Sequence, residues 1–235
     1  MQRDYRCATP DTIDFMIAIN LRYWLFALVI VSILTVVFYE FLDQPLSYFS
    51  HDALHQYAFF KRLTTLTEPF APLAIFVVVV LGLLRLGNHS LGYRLEALLM
   101  ASVSLVVARA IKDQLKLAFG RIWPETWINN NPSLIKDGAY GFHPFHGGLG
   151  YESFPSGHMV GICSVTMALW LYYPRLWPVY LAVILLVAGG LIGANYHFLS
   201  DIVAGGFIGY SAALFCCALF GRVSSLFQAG PSEQP

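Results

Sequence analysis

The strongest constraint on this chain is a set of apolar runs, each about as long as a helix must be to cross a bilayer. A membrane-spanning helix needs about 20 predominantly apolar residues. Applied along the sequence, that length gives six spans, at about residues 22–41, 70–86, 93–119, 158–173, 176–196 and 201–220. The chain is 57% hydrophobic and 12% charged, whereas soluble domains carry about 25% charged residues. A soluble domain is therefore excluded. The expected fold is all-α, a polytopic membrane protein with a six-transmembrane-helix bundle forming a single domain over residues 1–235. Formal net charge is zero, so no polyanion-binding argument can be built on it and nucleic acid is not an expected partner.

Between these runs the chain is polar in informative ways. The first residues carry Arg3, Asp4 and Arg6 ahead of a run long enough to span, so no cleavable signal peptide is expected. Residues 42–69 mix His51, His55, Lys61 and Arg62 with Tyr57, Phe59 and Phe60, the composition of a segment lying along a membrane surface. The third span becomes charged in its second half, at Arg109, Lys112, Asp113 and Lys116. Such charges are costly in lipid unless they face a polar cavity or snorkel to the edge. Residues 120–154 form a long connection rich in aromatics, expected to be ordered at the membrane interface, and residues 221–235 a short, loose tail. Cys7, Cys163, Cys216 and Cys217 are expected as core residues rather than a disulfide or metal set.

Six spans place both termini on one side. Arg3, Arg6, Arg22, Arg85, Arg94, Arg175 and Arg222 fall there, against Lys61, Arg62 and Lys136 opposite once the charges around the third span are set aside as site residues. That excess marks the terminal side as cytoplasmic and puts the connection between spans 3 and 4 outside.

Three polar clusters then converge on the outer face. In Phe154-Pro155-Ser156-Gly157-His158, the proline suits the first turn of a helix. Ser156 and Gly157 offer backbone N–H groups at a positive helix end that favours a phosphate, and His158 adds a proton donor or acceptor. An ordinary turn entering a helix has the same residues. His197 and Asp201 are spaced to share a helical face, where a carboxylate can orient an imidazole for attack, or Ser200-Asp201 can simply cap the sixth span. Lys116 and Arg121 are two cations flanking Gly120, suited to an anion or to snorkelling.

Together the three clusters resemble the type-2 phosphatidic acid phosphatase superfamily, the membrane lipid phosphate phosphatases related to acid phosphatases and vanadium haloperoxidases. That family carries Lys-x6-Arg-Pro, Pro-Ser-Gly-His and Ser-Arg-x5-His-x3-Asp. Lys116 and Pro124 frame the first motif, Pro155 to His158 match the second, and His197 and Asp201 end the third. Trp123 and Leu191 stand where the family has arginines, and Gly190 where it has serine. Arg121, Arg109 and Lys112 are the candidates to replace the lost cations, with His143 and His146 behind them.

The resemblance implies metal-independent phosphoryl transfer without a cofactor. His197 becomes phosphohistidine, Asp201 orients it, and His158 is general acid and then base. Lys116, Arg121, the Ser156 hydroxyl and the Gly157 N–H hold the phosphate. The His143-x-x-His146 spacing could suit a metal, but the family chemistry uses none. The implied substrate is a lipid phosphate met at the outer face, with undecaprenyl diphosphate, phosphatidic acid, phosphatidylglycerol phosphate and lipid A all open. A bacterial inner membrane is the expected location. A lipid-to-lipid phosphotransferase, or a weakened lipid-binding or translocating relative, fits the same residues.

Overall fold

The computed structural model describes residues 21–87, 89–127 and 129–228, with side chains to residue 220. Arg3, Arg6, Cys7 and Arg222, used above for sidedness and cysteine state, lie outside these described residues or side chains. The fold is built of helices, and the described residues form no β-sheet beyond isolated bridges. In chain order the helices are α1 Leu21–Phe41, α2 Asp43–Phe49, α3 Ala58–Thr65, α4 Phe70–Leu86, α5 Tyr93–Phe119, α6 Leu134–Asp137, α7 Gly157–Tyr172, α8 Trp177–Gly193 and α9 Leu199–Gln228. A π-helical turn, Ser50–Leu54, extends α2.

A helix stands at each of the six expected positions, but four segments are long and apolar enough to cross a membrane: Leu21–Phe41, Ala58–Leu86, Pro174–Gly193 and Leu199–Phe220. The other two fall short for physical reasons. α5 has the length, at 27 residues, but its last turns are charged, and α7 is apolar but only 16 residues long. The last helix also continues to Gln228, beyond the point where a loose tail was expected. α1 buries none of its residues despite its Val, Ile and Leu content, a surface that suits lipid rather than water.

Small residues set the packing. A Cβ on Gly209 of α9 would lie 2.4 Å from the Val160 carbonyl oxygen of α7, so those backbones touch. α5 completes this trio, with Leu99, Met100 and Ala101 packed against Ala168 and Ala213. α8 docks on α3 in the same manner, for a Cβ on Gly193 would lie 2.3 Å from the Phe60 ring. α1 attaches to α9 through Trp24, whose indole N–H donates to Ser211 Oγ at 2.9 Å. Cys163 and Cys217 are buried and, with Cys216, free.

Tyr93 at the start of α5 meets Tyr172 and Tyr173 at the end of α7. The 27 residues of α5 carry the chain about 40 Å to the opposite end. There the connection of residues 120–156 folds over the bundle. Gly120 starts it in the left-handed region, φ +57, where a Cβ would lie 1.9 Å from the His143 carbonyl oxygen. Gly120→Ala is expected to cost at least about 1–3 kcal/mol from backbone strain alone, read as a lowered melting temperature in detergent. The segment expected along the membrane surface is not simply amphipathic: Asp43, Ser47 and Ser50 are buried, Asp43 against this connection and the start of α9 and Ser47 against Asn195 in the turn before it.

Candidate active site

Two helix ends and one turn meet beneath the connection. The end of α5 brings Lys116, the start of α7 brings Gly157 and His158, and the turn between α8 and α9 brings His197. These residues line one cavity of about 350 Å3, together with Arg109, Lys112, Glu68 and Trp123. The rings of His158 and His197 lie 6.1 Å apart, centroid to centroid. Leu105, Arg109, Lys112 and Lys116 recur at helical spacing on one face of α5, which is why one helix delivers three cations to one cavity. Those three cations face a single lining carboxylate, Glu68, so the cavity is suited to a multiply charged anion. Lys112 also pairs with Asp113 at 2.5 Å, and Lys116 Nζ stands 3.7 Å from Glu152. Gly157 lets Lys112 come close, since a Cβ there would meet the lysine stem at 3.2 Å.

Two details of the Pro-Ser-Gly-His stretch depart from expectation. Helix α7 begins at Gly157 with Ser156 as its N-cap, so Pro155 stands before the helix and not in its first turn. Ser156 is fully buried, and its N–H donates to the Asp201 carbonyl oxygen at 3.1 Å, tying α7 to α9. That N–H is spent on the fold. Gly157 is the residue of this pair that reaches the cavity.

Arg121 is placed elsewhere than the phosphate seat expected of it. Its side chain is fully buried and absent from the cavity lining. The reason is local: after the left-handed Gly120 the chain doubles back, and Arg121 pairs in short bridges with Phe142 and Glu152. The guanidinium donates to Asp43 Oδ2 at 2.7 Å, Ser200 Oγ at 2.6 Å and the Tyr140 hydroxyl at 3.1 Å, and also to Asp201 Oδ1. Phe198 and Phe142 lie against it, with ring centroids 4.3 and 4.9 Å from Cζ. Burial pushes the Asp43 carboxyl upward while Arg121 pulls it back.

Asp201 joins this cluster to the cavity. Its Oδ2 accepts from Ser153 Oγ at 2.6 Å and from the Phe198 N–H at 3.1 Å. An acid in the first turn reaching back to the residue before the helix is half of a capping box, so Asp201 does cap α9. It also stands 3.6 Å from His197 Nδ1, an ion-pair distance just outside a hydrogen bond. With Nδ1 turned to the carboxylate, Nε2 is the nitrogen left for the cavity.

Trp123, in the position of a family arginine, lies with its ring 5.1 Å from the His197 ring and tilted 41° to it, and has Lys116 Nζ 5.4 Å from its own ring. Leu191 lies in the apolar core with Met159, Ile162 and Val187 and is remote from any charge-binding role. Arg109 and Lys112, considered above as replacements, do reach the cavity, while His146 faces a smaller one with Asp113 and Glu152. Asp43 and Ser153 escaped the sequence reading, and Tyr140 counted there only as one of the connection's aromatics; each is a common residue type in its stretch, and only the fold brings them to Arg121 and Asp201.

The sequence pattern of the PAP2 superfamily matches residues 97–224, which includes every cavity residue from α5 onward. Two curated proteins are similar, each named lipid A 1-phosphatase. The one from Rhizobium johnstonii is 28% identical over 132 residues, which is 56% of this chain and 51% of that protein. The one from Rhizobium etli is 27% identical over 132 residues, covering 56% and 54%. The match thus spans about half the length of these relatives. No solved structure matches.

Proposed function

The chain belongs to the PAP2 superfamily, and from that premise we propose that it is an integral-membrane phosphatase acting on a lipid phosphate through a phosphohistidine intermediate. The observation that carries this reading is the pairing of two imidazoles across one cavity with three cations on its wall. His197 Nε2 attacks phosphorus and the bond to the leaving oxygen breaks, while His158 delivers a proton to that oxygen. Water, deprotonated by His158, then attacks phosphorus and releases phosphate from His197. Arg109, Lys112, Lys116 and the Gly157 N–H hold the phosphoryl oxygens, the electrostatic work on which such reactions depend. Ser156 and Arg121 act behind them: Ser156 fixes α7 to Asp201, and Arg121 holds Asp201 in place. No metal takes part in these steps.

The proposed topology has six spans, with α5 and α7 crossing inside the bundle where neighbours cover their polar or short stretches. Both termini then face the cytoplasm of a bacterial inner membrane and the cavity opens on the outer side, where a headgroup enters while its tails stay in lipid. Lipid A 1-phosphate is the first substrate to test, because both relatives carry that activity in their names.

The test is phosphate release by the purified protein from lipid A, phosphatidic acid, phosphatidylglycerol phosphate and undecaprenyl diphosphate, without added metal. Release from at least one, with a base-stable, acid-labile phosphoprotein after rapid quenching, is the expected result. Turnover only when an acceptor lipid is added, without free phosphate, would make it a transferase. No turnover and no phosphoprotein with any of them would overturn the reading.

The pH profile is a second test. Burial pushes the His197 imidazole below its ordinary value, against the opposing pull of Asp201. A lowered value keeps the ring neutral, and so nucleophilic, where an ordinary histidine near pH ~6.5 is half charged. The nucleophile's acid limb in kcat/KM is therefore expected below about 6.5. A limb centred above that value contradicts the assignment.

A further inference from the structure

The widened turn that ends α2 places a second group of imidazoles away from the cavity. His51 lies inside the π-helical turn Ser50–Leu54 and His55 follows it directly, so the two rings stack at 4.8 Å with 13° between their planes. Glu125, from the connection, closes on them. One ligand atom from each of His51, His55 and Glu125 lies within 4.8 Å of the others.

The hydrogen bonding around this group is that of a ligand set. His55 Nδ1 bonds the His51 carbonyl oxygen at 2.8 Å, so it carries the proton and Nε2 is left with a free lone pair. His51 Nδ1 meets the Glu125 carboxylate directly. That carboxylate also accepts from Asn195 Nδ2 at 3.2 Å, and Asn195 Oδ1 accepts from Ser47 Oγ at 3.0 Å. Ligating histidines bonded to a carbonyl through the other nitrogen, and carboxylates steadied by an outer amide, are the supports that orient metal ligands.

We propose that His51, His55 and Glu125 bind a divalent transition-metal ion, Zn2+ being the best fit. Two imidazoles and one carboxylate favour such an ion over Mg2+ or Ca2+, which prefer oxygen ligands alone. Zinc takes these donors at about 2.0–2.2 Å, and a fourth position is left for water. The ion replaces the proton shared by His51 and Glu125, and those two side chains part slightly to admit it. None of the three lines the catalytic cavity, so the site is a clip and not part of the phosphoryl chemistry. It joins the turn after α2 to the connection two residues beyond Trp123, whose ring lies against His197. It thus braces the wall behind the nucleophile.

The experiment uses the full chain in detergent, stripped with a chelator and then titrated with ZnCl2 by calorimetry and with CoCl2 by visible absorption. One equivalent of Zn2+ is expected, with Co2+ giving the intense bands of a four-coordinate site. His55→Ala and Glu125→Gln should each weaken binding about tenfold or more, while a His143→Ala/His146→Ala protein binds as the parent does. Zn2+ should also raise the melting temperature of the parent but not of His55→Ala. Absence of saturable binding, leaving a bare His51–Glu125 ion pair, overturns the proposal. So does one equivalent held undiminished by both variants, or lost in the His143→Ala/His146→Ala protein.

Discussion

Arg121→Leu is expected to destabilise the protein by about 3–5 kcal/mol, the cost of stripping the partner from a buried charge. Two carboxylates are orphaned at once, because Asp43 and Asp201 both bond the guanidinium and neither has any exposure. A leucine fills much of the space between Phe198 and Phe142 but donates nothing to them. Arg121→Lys keeps the charge and still falls short, for one ammonium cannot reproduce a fork that reaches Asp43 and Asp201 from different nitrogens. Adding Asp43→Asn to Arg121→Leu should restore part of the loss, since one of the two stranded charges is then neutral. Thermal melts in detergent read these effects. If Arg121→Leu melts with the parent and releases phosphate as the parent does, Arg121 is not the keystone of this cluster.

His197→Ala is expected to lower kcat by about a million-fold, the scale seen when a covalent nucleophile is deleted from a site that otherwise remains whole. The loss is expected to be chemical rather than structural, because Asp201, the acid beside Nδ1, keeps Arg121, Ser153 Oγ and the Phe198 N–H as partners when the ring is removed. The melting temperature should therefore move little, while the phosphoprotein trapped by rapid quenching disappears. His158→Ala separates the two imidazoles. With a phosphate ester whose leaving group needs no proton, that variant should still form the phosphoprotein and then stall, because water lacks its base. Full phosphate release by purified His197→Ala would remove the nucleophile from the mechanism.

Much of this was legible in the sequence, and the limits have physical causes. Helix positions followed from apolar runs, since a helix of that length has to hide its backbone and side chains together. The stretch from Lys116 to Asp201 also disclosed its histidines and lysines, whose chemistry depends on residue type. Arg121 shows where such reading fails. A cation beside a phosphate motif looks like a phosphate ligand, yet one left-handed glycine turns it inward and makes it a partner of carboxylates. Asp43 was invisible for the complementary reason. It lies in a mixed polar and aromatic stretch with no spacing to mark it, and its partners lie far along the chain. Ser156 was read as an open amide at a helix end, but the close packing of α7 on α9 takes that amide for the Asp201 carbonyl.

The link between Arg121 and Asp43 bears on how much chain is needed to make the complete fold. Recognisable kinship starts at residue 97, but one of the two anions that neutralise the guanidinium sits on α2, well upstream. A fragment cut at the border of kinship would keep every imidazole and lysine of the cavity and still lack a counter-ion at its centre. The cooperative folding unit is therefore longer than the part of the chain that inheritance has kept recognisable.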